Sequence, residues 1–392
     1  MNKINIKIYF VLATLLVSVL LGNLYINNIS LPTLSYRTQL VNSALKGEAK
    51  ADYLYAMYSI ALVHKFLTTK LSLSPAFCFV LIDFLGIVFL CLCGCWFLIK
   101  LFPNPYSWFS GILWLAITSP LLFKKHLYHP SDFYGTGLMF LILIAAKEQR
   151  HWRLAMLCFL SGMLWEKALF VPLIFFFYQI VSFLRKQESR IISNDNKQRL
   201  DSHFRGNDNK TPTHIFFKKL NFLFSQRTLR SLREILLFFS RKDHNNTVGD
   251  AYMRPLSAQI NINKIKRAII TSLPSIIAIL FWYIFWRLTF PEAQREYYTW
   301  IEFYYRLKGG LSDWILWLTP IGIILFDIII HKRRIDTFWF YWLLYLPILI
   351  AIIVNFRGYI DELRSFWIIQ PIFVGLIGNW VESLISPNRS KI

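Results

Sequence analysis

Long apolar runs separated by short charged segments dominate the pattern of this chain. A helix of about 18 or more apolar residues is long enough to cross the hydrocarbon core of a bilayer. The runs and their charged boundaries predict transmembrane segments at about 8–21, 75–99, 106–123, 130–147, 152–184, 268–290, 313–330, 337–355 and 365–385.

The segment 152–184 fits two arrangements. It reads either as one helix of about 33 residues with Glu166 and Lys167 near its centre, or as two short helices that turn near residues 162–167. One helix would put the most basic loop of the chain outside, whereas two helices put it inside, as the positive bias of cytoplasmic loops favours. We therefore prefer two helices, which gives ten spans with both termini inside.

The segment between the first two spans is long for a connection within a helical bundle. Residues 36–70 predict two short helices near the outer membrane surface, and the second is amphipathic and aromatic. The first span, preceded by Lys3 and Lys7, lacks a small-residue cleavage site and reads as an uncleaved membrane helix.

These elements predict an all-α fold, a polytopic helical membrane bundle. We expect an N-terminal membrane region at 1–184 with about six spans and a long outer loop at 23–74. A basic cytoplasmic loop follows at 185–267, and a C-terminal membrane region with about four spans covers 268–392.

Composition agrees with this class. The chain is 55% hydrophobic and 17% charged, with a mean hydropathy of +0.43, whereas about a quarter of the residues of a soluble domain are charged. A net charge of +21 would suit nucleic acid, but the excess lies in the predicted inside loops. The segment 185–267 alone holds 18 Lys and Arg against 7 Asp and Glu, so we expect a lipid bilayer as partner and no nucleic acid.

The first part of that basic loop, residues 185–209, is polar and almost without large apolar side chains, so we expect it to be disordered. Residues 201–208, Asp-Ser-His-Phe-Arg-Gly-Asn-Asp, resemble translated palindromic repeats inserted in frame into genes of some intracellular alphaproteobacteria. This resemblance implies a genomic insertion that takes no part in a site.

Two clusters of ligand-type residues favour packing or loop roles over metal binding. Cys91 and Cys95 would share a helix face that excludes Cys93, and no second ligand pair follows. The second cluster consists of His126, His129 and Asp132, and Pro130 breaks the helical register between His129 and Asp132. We predict no metal site from either cluster, and we assign Gly135-Thr-Gly137 to helix packing.

Charged residues at the predicted outer boundaries provide the candidate site. Insertion bias does not call for Lys or Arg there, so these residues either line one outward-facing polar cavity or are ordinary solvated loop residues. Asp83, inside the second span, is costly unless it faces a polar interior. The outer set is Glu48, Asp52, His126, His129, Asp132, Glu166, Lys167, Arg357, Asp361, Glu362 and Arg364.

The layout resembles bacterial membrane proteins of the GT-C glycosyltransferase superfamily. One span precedes a long outer loop with surface helices. Residues 165–172, Trp-Glu-Lys-Ala-Leu-Phe-Val-Pro, loosely match a mid-chain Arg/Lys-Glu-Thr-Ala-Leu-hydrophobic-Pro motif, and Glu362-Leu363-Arg364 matches a late Glu-x-Arg motif. The chain departs from the family pattern because residues 23–39, directly after the first span, contain no Asp or Glu.

The resemblance implies transfer of a sugar from a polyprenyl-phosphate carrier at the outer face of the bacterial inner membrane. Glu48 or Asp52 would then be the catalytic base. The residues expected to bind the substrate are His129, Asp132, Glu166, Lys167, Arg357, Glu362 and Arg364. Among them, the positively charged Lys167, Arg357 and Arg364 would bind the phosphate. The cofactor stays open, a divalent cation among the candidates.

Two other interpretations remain open. A transporter or flippase for a lipid-linked or anionic substrate would use Asp83, Glu166 and Lys167 along its path, although no internal repeat is visible in the sequence. An inactive relative of the transferases is the other.

Overall fold

The computed structural model describes residues 3–48, 51–123, 131–164, 262–290 and 366–385, with short pieces between 319 and 342. Every regular element among these residues is an α-helix, which confirms the predicted all-α class for this part of the chain. The chain divides into two compact units, Met1–Ile174 with Ser272–Ile392, and Phe175–Thr271. Only residues 262–271 of the second unit, the start of one helix, are described.

The helices follow the predicted apolar runs closely. In chain order they are α1 Lys3–Asn27, α2 Leu31–Lys46, α3 Ala51–Lys70, α4 Pro75–Leu101, α5 Pro105–Phe123, α6 Ser131–Lys147, α7 His151–Leu164, α8 Ile262–Thr289 and α9 Phe366–Ile385. The two predicted helices between the first spans are confirmed as α2 and α3. The first span is longer than predicted, because its helix continues beyond the apolar run at both ends.

Three of the described helices are long and apolar enough to cross a membrane: Ile4–Asn27, Pro75–Leu101 and Ile269–Thr289. Leu12, Leu16 and Leu20 recur every fourth residue on α1 and are exposed, so they form one apolar face. An exposed apolar face on a long helix suits contact with lipid and indicates a membrane protein. The predicted spans 313–330 and 337–355 lie largely or wholly outside the described residues, as do residues 165–184 of the predicted segment 152–184 and residues 185–261 of the predicted loop 185–267.

Helix α4 lies at the centre of the described bundle. It packs against α1 and α6; α5 packs on α1, and α9 packs on α5 and α6. Close approach depends on small residues: a Cβ on Gly22 would lie 2.7 Å from Cδ2 of Phe84, and a Cβ on Gly137 would lie 2.7 Å from Cδ1 of Phe89. The helix-packing role predicted for Gly137 is thereby confirmed.

The helix pair α2–α3 packs on one end of this bundle. Val41 and Ala44 of α2, Ile60 and Ala61 of α3, Phe79 and Ile82 of α4, and Trp286 of α8 form one buried apolar cluster. Ser59 of α3 also donates a hydrogen bond to the carbonyl oxygen of Met163 in α7, at 2.9 Å. The pair is therefore part of the folded core, and we call this end of the bundle the Arg37 end.

Candidate functional site

A fully buried ion pair lies at the Arg37 end. Nη1 of Arg37, from α2, donates a hydrogen bond to Oδ2 of Asp83, from α4, at 2.5 Å, and neither side chain is exposed. A carboxylate inside an apolar helix is costly without a partner of opposite charge. Arg37 supplies that partner, so Asp83 is neutralised by a residue from outside the candidate spans.

Tyr25, near the end of α1, completes the cluster. Its hydroxyl oxygen accepts a hydrogen bond from Nη2 of Arg37 at 2.7 Å, and the guanidinium carbon lies 5.7 Å from the centre of the Phe79 ring. Arg37 of α2 thus contacts Tyr25 of α1 and both Asp83 and Phe79 of α4. Two polar atoms of the cluster, Nε of Arg37 and Oδ1 of Asp83, have no hydrogen-bond partner in the part of the chain that the structure describes.

The charge of Asp83 favours the ionised form of Arg37. Burial by itself lowers the pKa of the Arg37 guanidinium, but the Asp83 charge and the hydrogen bonds to Asp83 and Tyr25 outweigh it and raise that pKa above its usual value. Removing one member of such a pair leaves an uncompensated buried charge, which typically costs about 3–5 kcal/mol.

Aromatic rings shield the cluster on the side of α5 and α6. The ring of Tyr25 meets Phe123 and Phe133 edge-on, with centroids 5.0 and 5.1 Å apart. Asp132, the neighbour of Phe133, is buried in the first turn of α6, where the helix dipole favours a carboxylate. The start of α6 at Ser131 confirms the helix start predicted there.

Local capping fixes the position of Glu48. Helix α2 begins after Ser30, whose hydroxyl accepts a hydrogen bond from the Thr33 N–H, and it ends at Gly47 in the left-handed conformation with φ +75°. The N–H of Glu48 donates to the carbonyl oxygen of Ser43 at 2.9 Å, closing the end of the helix. The side chain of Glu48 is exposed.

The predicted site residues divide into those that the structure describes and those that it does not. Glu48 and Asp132 both lie at the Arg37 end, one exposed and one buried. Asp52 lies in the first turn of α3, where only the backbone is described. The following residues are outside the described part of the chain: His129, Glu166, Lys167, Arg357, Glu362 and Arg364.

Sequence reasoning identified Asp83 as costly but missed Arg37 and Tyr25. A signal for the pairing is present. Arg37 is the only charged residue between Lys7 and Lys46, and Asp83 is the only charged residue between Lys70 and Lys100. Two isolated opposite charges, each in a stretch without any other charged residue, have few charged partners other than each other. Tyr25 carries no comparable signal.

The opposite end of the bundle carries ordinary surface ion pairs. Glu148, after α6, lies 3.2 Å from Nζ of Lys100 and 2.9 Å from Nε of Arg150, with all three side chains partly exposed. Glu382 of α9 accepts hydrogen bonds from the N–H of Asn104 and the hydroxyl of Ser107 and so caps α5. These contacts organise helix ends and enclose no candidate site.

No group of three or more His, Cys, Asp or Glu able to hold a metal ion occurs among the described residues. The cysteines at 78, 91, 93, 95 and 158 are buried and form no disulfide. Comparison of the chain with protein-family models, curated proteins and solved structures finds no match.

Proposed function

We propose that this chain is a polytopic membrane glycosyltransferase of the GT-C type. It transfers a sugar from a polyprenyl-phosphate carrier to an acceptor hydroxyl at the outer face of the bacterial inner membrane. One observation carries the proposal: the segment after the first span folds as a helix pair, is held on the bundle by Arg37 and Asp83, and presents an exposed carboxylate at Glu48.

The reaction needs one base and a cationic site. Glu48 or Asp52 accepts the proton of the acceptor hydroxyl, and the hydroxyl oxygen of the acceptor bonds to the anomeric carbon of the sugar. The bond from that carbon to the carrier phosphate oxygen breaks, and the phosphate leaves with the bonding pair. Lys167, Arg357 and Arg364 hold the leaving phosphate, while His129, Glu166 and Glu362 orient the sugar and acceptor. Asp132 is buried at the start of α6, so it is not assigned to the substrate.

The Arg37–Asp83 pair has a supporting role in this scheme. Arg37 is fully buried and already bound to a carboxylate and a phenol, so it is not assigned to the phosphate. The pair holds α2 against α1 and α4, and the capped end of α2 carries Glu48.

The test is sugar transfer by the purified chain in lipid vesicles supplied with a labelled polyprenyl-phosphate sugar and candidate acceptors. We expect Glu48→Gln or Asp52→Asn to lower the rate by about 10²–10⁴, the usual contribution of a general base. Glu148→Gln, which changes a carboxylate at the opposite end of the bundle, is the control and should leave the rate unchanged. Transfer that survives both Glu48→Gln and Asp52→Asn would overturn the base assignment.

A transporter or flippase for a lipid-linked or anionic substrate is the second candidate. The buried Asp83 within a candidate span favours it, because ionisable residues inside membranes often mark a substrate path. The same vesicles separate the two functions. Movement of a labelled lipid-linked sugar across the bilayer without any new glycosidic bond would replace the transferase with a transporter, whereas neither activity would indicate an inactive relative.

A further inference from the structure

The buried cluster of Arg37, Asp83 and Tyr25 has hydrogen-bonding capacity that its protein contacts leave unused. Nη1 and Nη2 of Arg37 donate to Asp83 and Tyr25, but a guanidinium has about five N–H groups and a carboxylate accepts about four hydrogen bonds. Nε of Arg37 and Oδ1 of Asp83 are buried and have no partner among the residues that the structure describes. Buried polar atoms of native proteins nearly always bond to protein or to an ordered water.

These two atoms belong to one contact. Nε of Arg37 shares the carbon Cζ with Nη1, and Oδ1 of Asp83 shares the carbon Cγ with Oδ2, so both atoms lie beside the hydrogen bond that joins the two side chains. One is a donor and the other an acceptor, yet they do not bond to each other. A single water spans two polar atoms up to about 6 Å apart, because each of its hydrogen bonds is about 2.7–3.2 Å long.

The charges around the two atoms favour a neutral ligand. An anion beside Nε would be repelled by the Asp83 carboxylate, and a cation beside Oδ1 would be repelled by the Arg37 guanidinium. The Phe79 ring, whose centre lies 5.7 Å from the guanidinium carbon, is apolar and offers neither atom a conventional partner. Water is the smallest ligand that both donates and accepts, and an internal water typically makes about three hydrogen bonds.

We propose that this cluster binds one internal water molecule, which accepts a hydrogen bond from Nε of Arg37 and donates one to Oδ1 of Asp83. Tyr25, whose oxygen already accepts from Nη2 of Arg37, has a hydroxyl hydrogen and is the third polar group of the site. The water completes the contacts among α1, α2 and α4 in a transferase and in a transporter alike, so the site does not depend on the proposed function.

Radiolytic labelling of the full chain in lipid vesicles tests the site. A short X-ray pulse converts water to hydroxyl radicals, and a bound water oxidises the side chains next to it. Peptide mass spectrometry then locates the added oxygen. Tyr25 is the reporter, and Phe10 is the matched control, because it lies on the same helix, is equally buried and packs against the rings of Trp108 and Phe109.

We expect Tyr25 to be oxidised in the wild-type chain and Phe10 to stay unmodified. A radical scavenger in the bulk water should suppress oxidation of the exposed Tyr106 and leave that of Tyr25 unchanged. Tyr25 modified no more than Phe10 would overturn the proposal, because a protein group would then occupy the two polar atoms. Suppression of Tyr25 oxidation by the scavenger would also overturn it, since the radicals would then come from bulk water.

The double variant Arg37→Met with Asp83→Leu removes both of the atoms that bind the water. We expect oxidation of Tyr25 to fall to the level of Phe10, and Phe10 that stays unmodified shows that the bundle is intact. Oxidation of Tyr25 that persists in this intact variant would overturn the proposal, because water would then reach the phenol without Arg37 and Asp83. If the variant fails to fold, Phe10 is oxidised too, and the scavenger experiment on the wild-type chain decides.

Discussion

Arg37 and Asp83 lie 46 positions apart in the chain, yet Nη1 of the one is 2.5 Å from Oδ2 of the other, with both side chains fully buried. The pair connects α2, which is not a candidate span, to a residue about a third of the way along the candidate span Pro75–Leu101. It brings together two charges that would each be unstable alone at that depth.

The first prediction concerns this pair. Arg37→Met or Asp83→Leu alone should lower the free energy of unfolding by about 3–5 kcal/mol, because each leaves a buried charge unpaired. The double variant should lose much less than the two single losses together. A denaturant titration in detergent micelles on all four forms measures the coupling.

The exposed pair at the other end is the control. Lys100 and Glu148 are partly exposed, so the same cycle with Lys100→Met and Glu148→Leu should show a coupling of about 1 kcal/mol or less. Additive losses at Arg37 and Asp83 would show that the buried contact contributes no more than this surface pair does.

The second prediction concerns the phenol of Tyr25. Tyr25→Phe keeps the ring against Phe123 and Phe133 but removes the oxygen that accepts from Nη2 of Arg37. The loss should be about 1–3 kcal/mol, since a buried donor is left without its acceptor. Tyr9→Phe on the same helix, where the ring is exposed, should change thermal stability little. Equal effects of the two substitutions would contradict a role for the hydroxyl.

The third prediction concerns the turn that places Glu48. Gly47→Ala should destabilise the chain by about 1–2 kcal/mol, because an L-residue is strained in the left-handed region, and the new Cβ would lie 3.2 Å from the Phe290 ring. Gly322→Ala has open space around the added methyl group and no strained φ. It should be neutral or stabilising, by up to about 1 kcal/mol. A Gly47→Ala chain with unchanged melting temperature would contradict the strain assigned to this turn.

The fourth prediction concerns pH. Burial lowers the pKa of His64, and the hydrogen bond with the Pro75 carbonyl only partly opposes this. The unfolded chain therefore binds the proton more readily, so stability should fall as pH drops through about 6.5, the unperturbed histidine value. Above that pH both states are neutral at this position and the effect vanishes. In the His64→Gln variant, the free energy of unfolding should fall less between about pH 8 and pH 5.5 than in the wild-type chain. If the two chains lose stability equally over this range, His64 is not the cause of the pH dependence.

The helices were predictable because each apolar run is local and its length is set by the bilayer. The predictions for α4, α5 and α9 are within two residues of the observed ends. The prediction for α1 was too short, since polar residues at its end stay helical through contacts such as the 3.3 Å hydrogen bond from Asn27 to Asn23. The length of an apolar run indicates how much of a helix lies in the lipid. The helix itself extends further, for as long as its backbone hydrogen bonds are formed.

The candidate site was less predictable because its contacts are distant in sequence. Asp83 could be identified as unusual from its surroundings alone, but its partner lies in another helix. Because Arg37 and Asp83 each lie far from other charged residues in the sequence, few charged partners remain for Asp83. The sequence does not show that the two side chains are in contact. Tyr25 was not predictable, because a tyrosine near the end of a span usually marks the membrane boundary.

The order of the two charges along the chain has a consequence for biosynthesis. Arg37 leaves the ribosome 46 residues before Asp83, so its guanidinium must stay hydrated until α4 has entered the membrane. Only then can α2 pack on the bundle without burying the Arg37 guanidinium in the absence of its partner. The closing of this contact thus follows the integration of α4, and its protection from solvent would report that the N-terminal half has assembled.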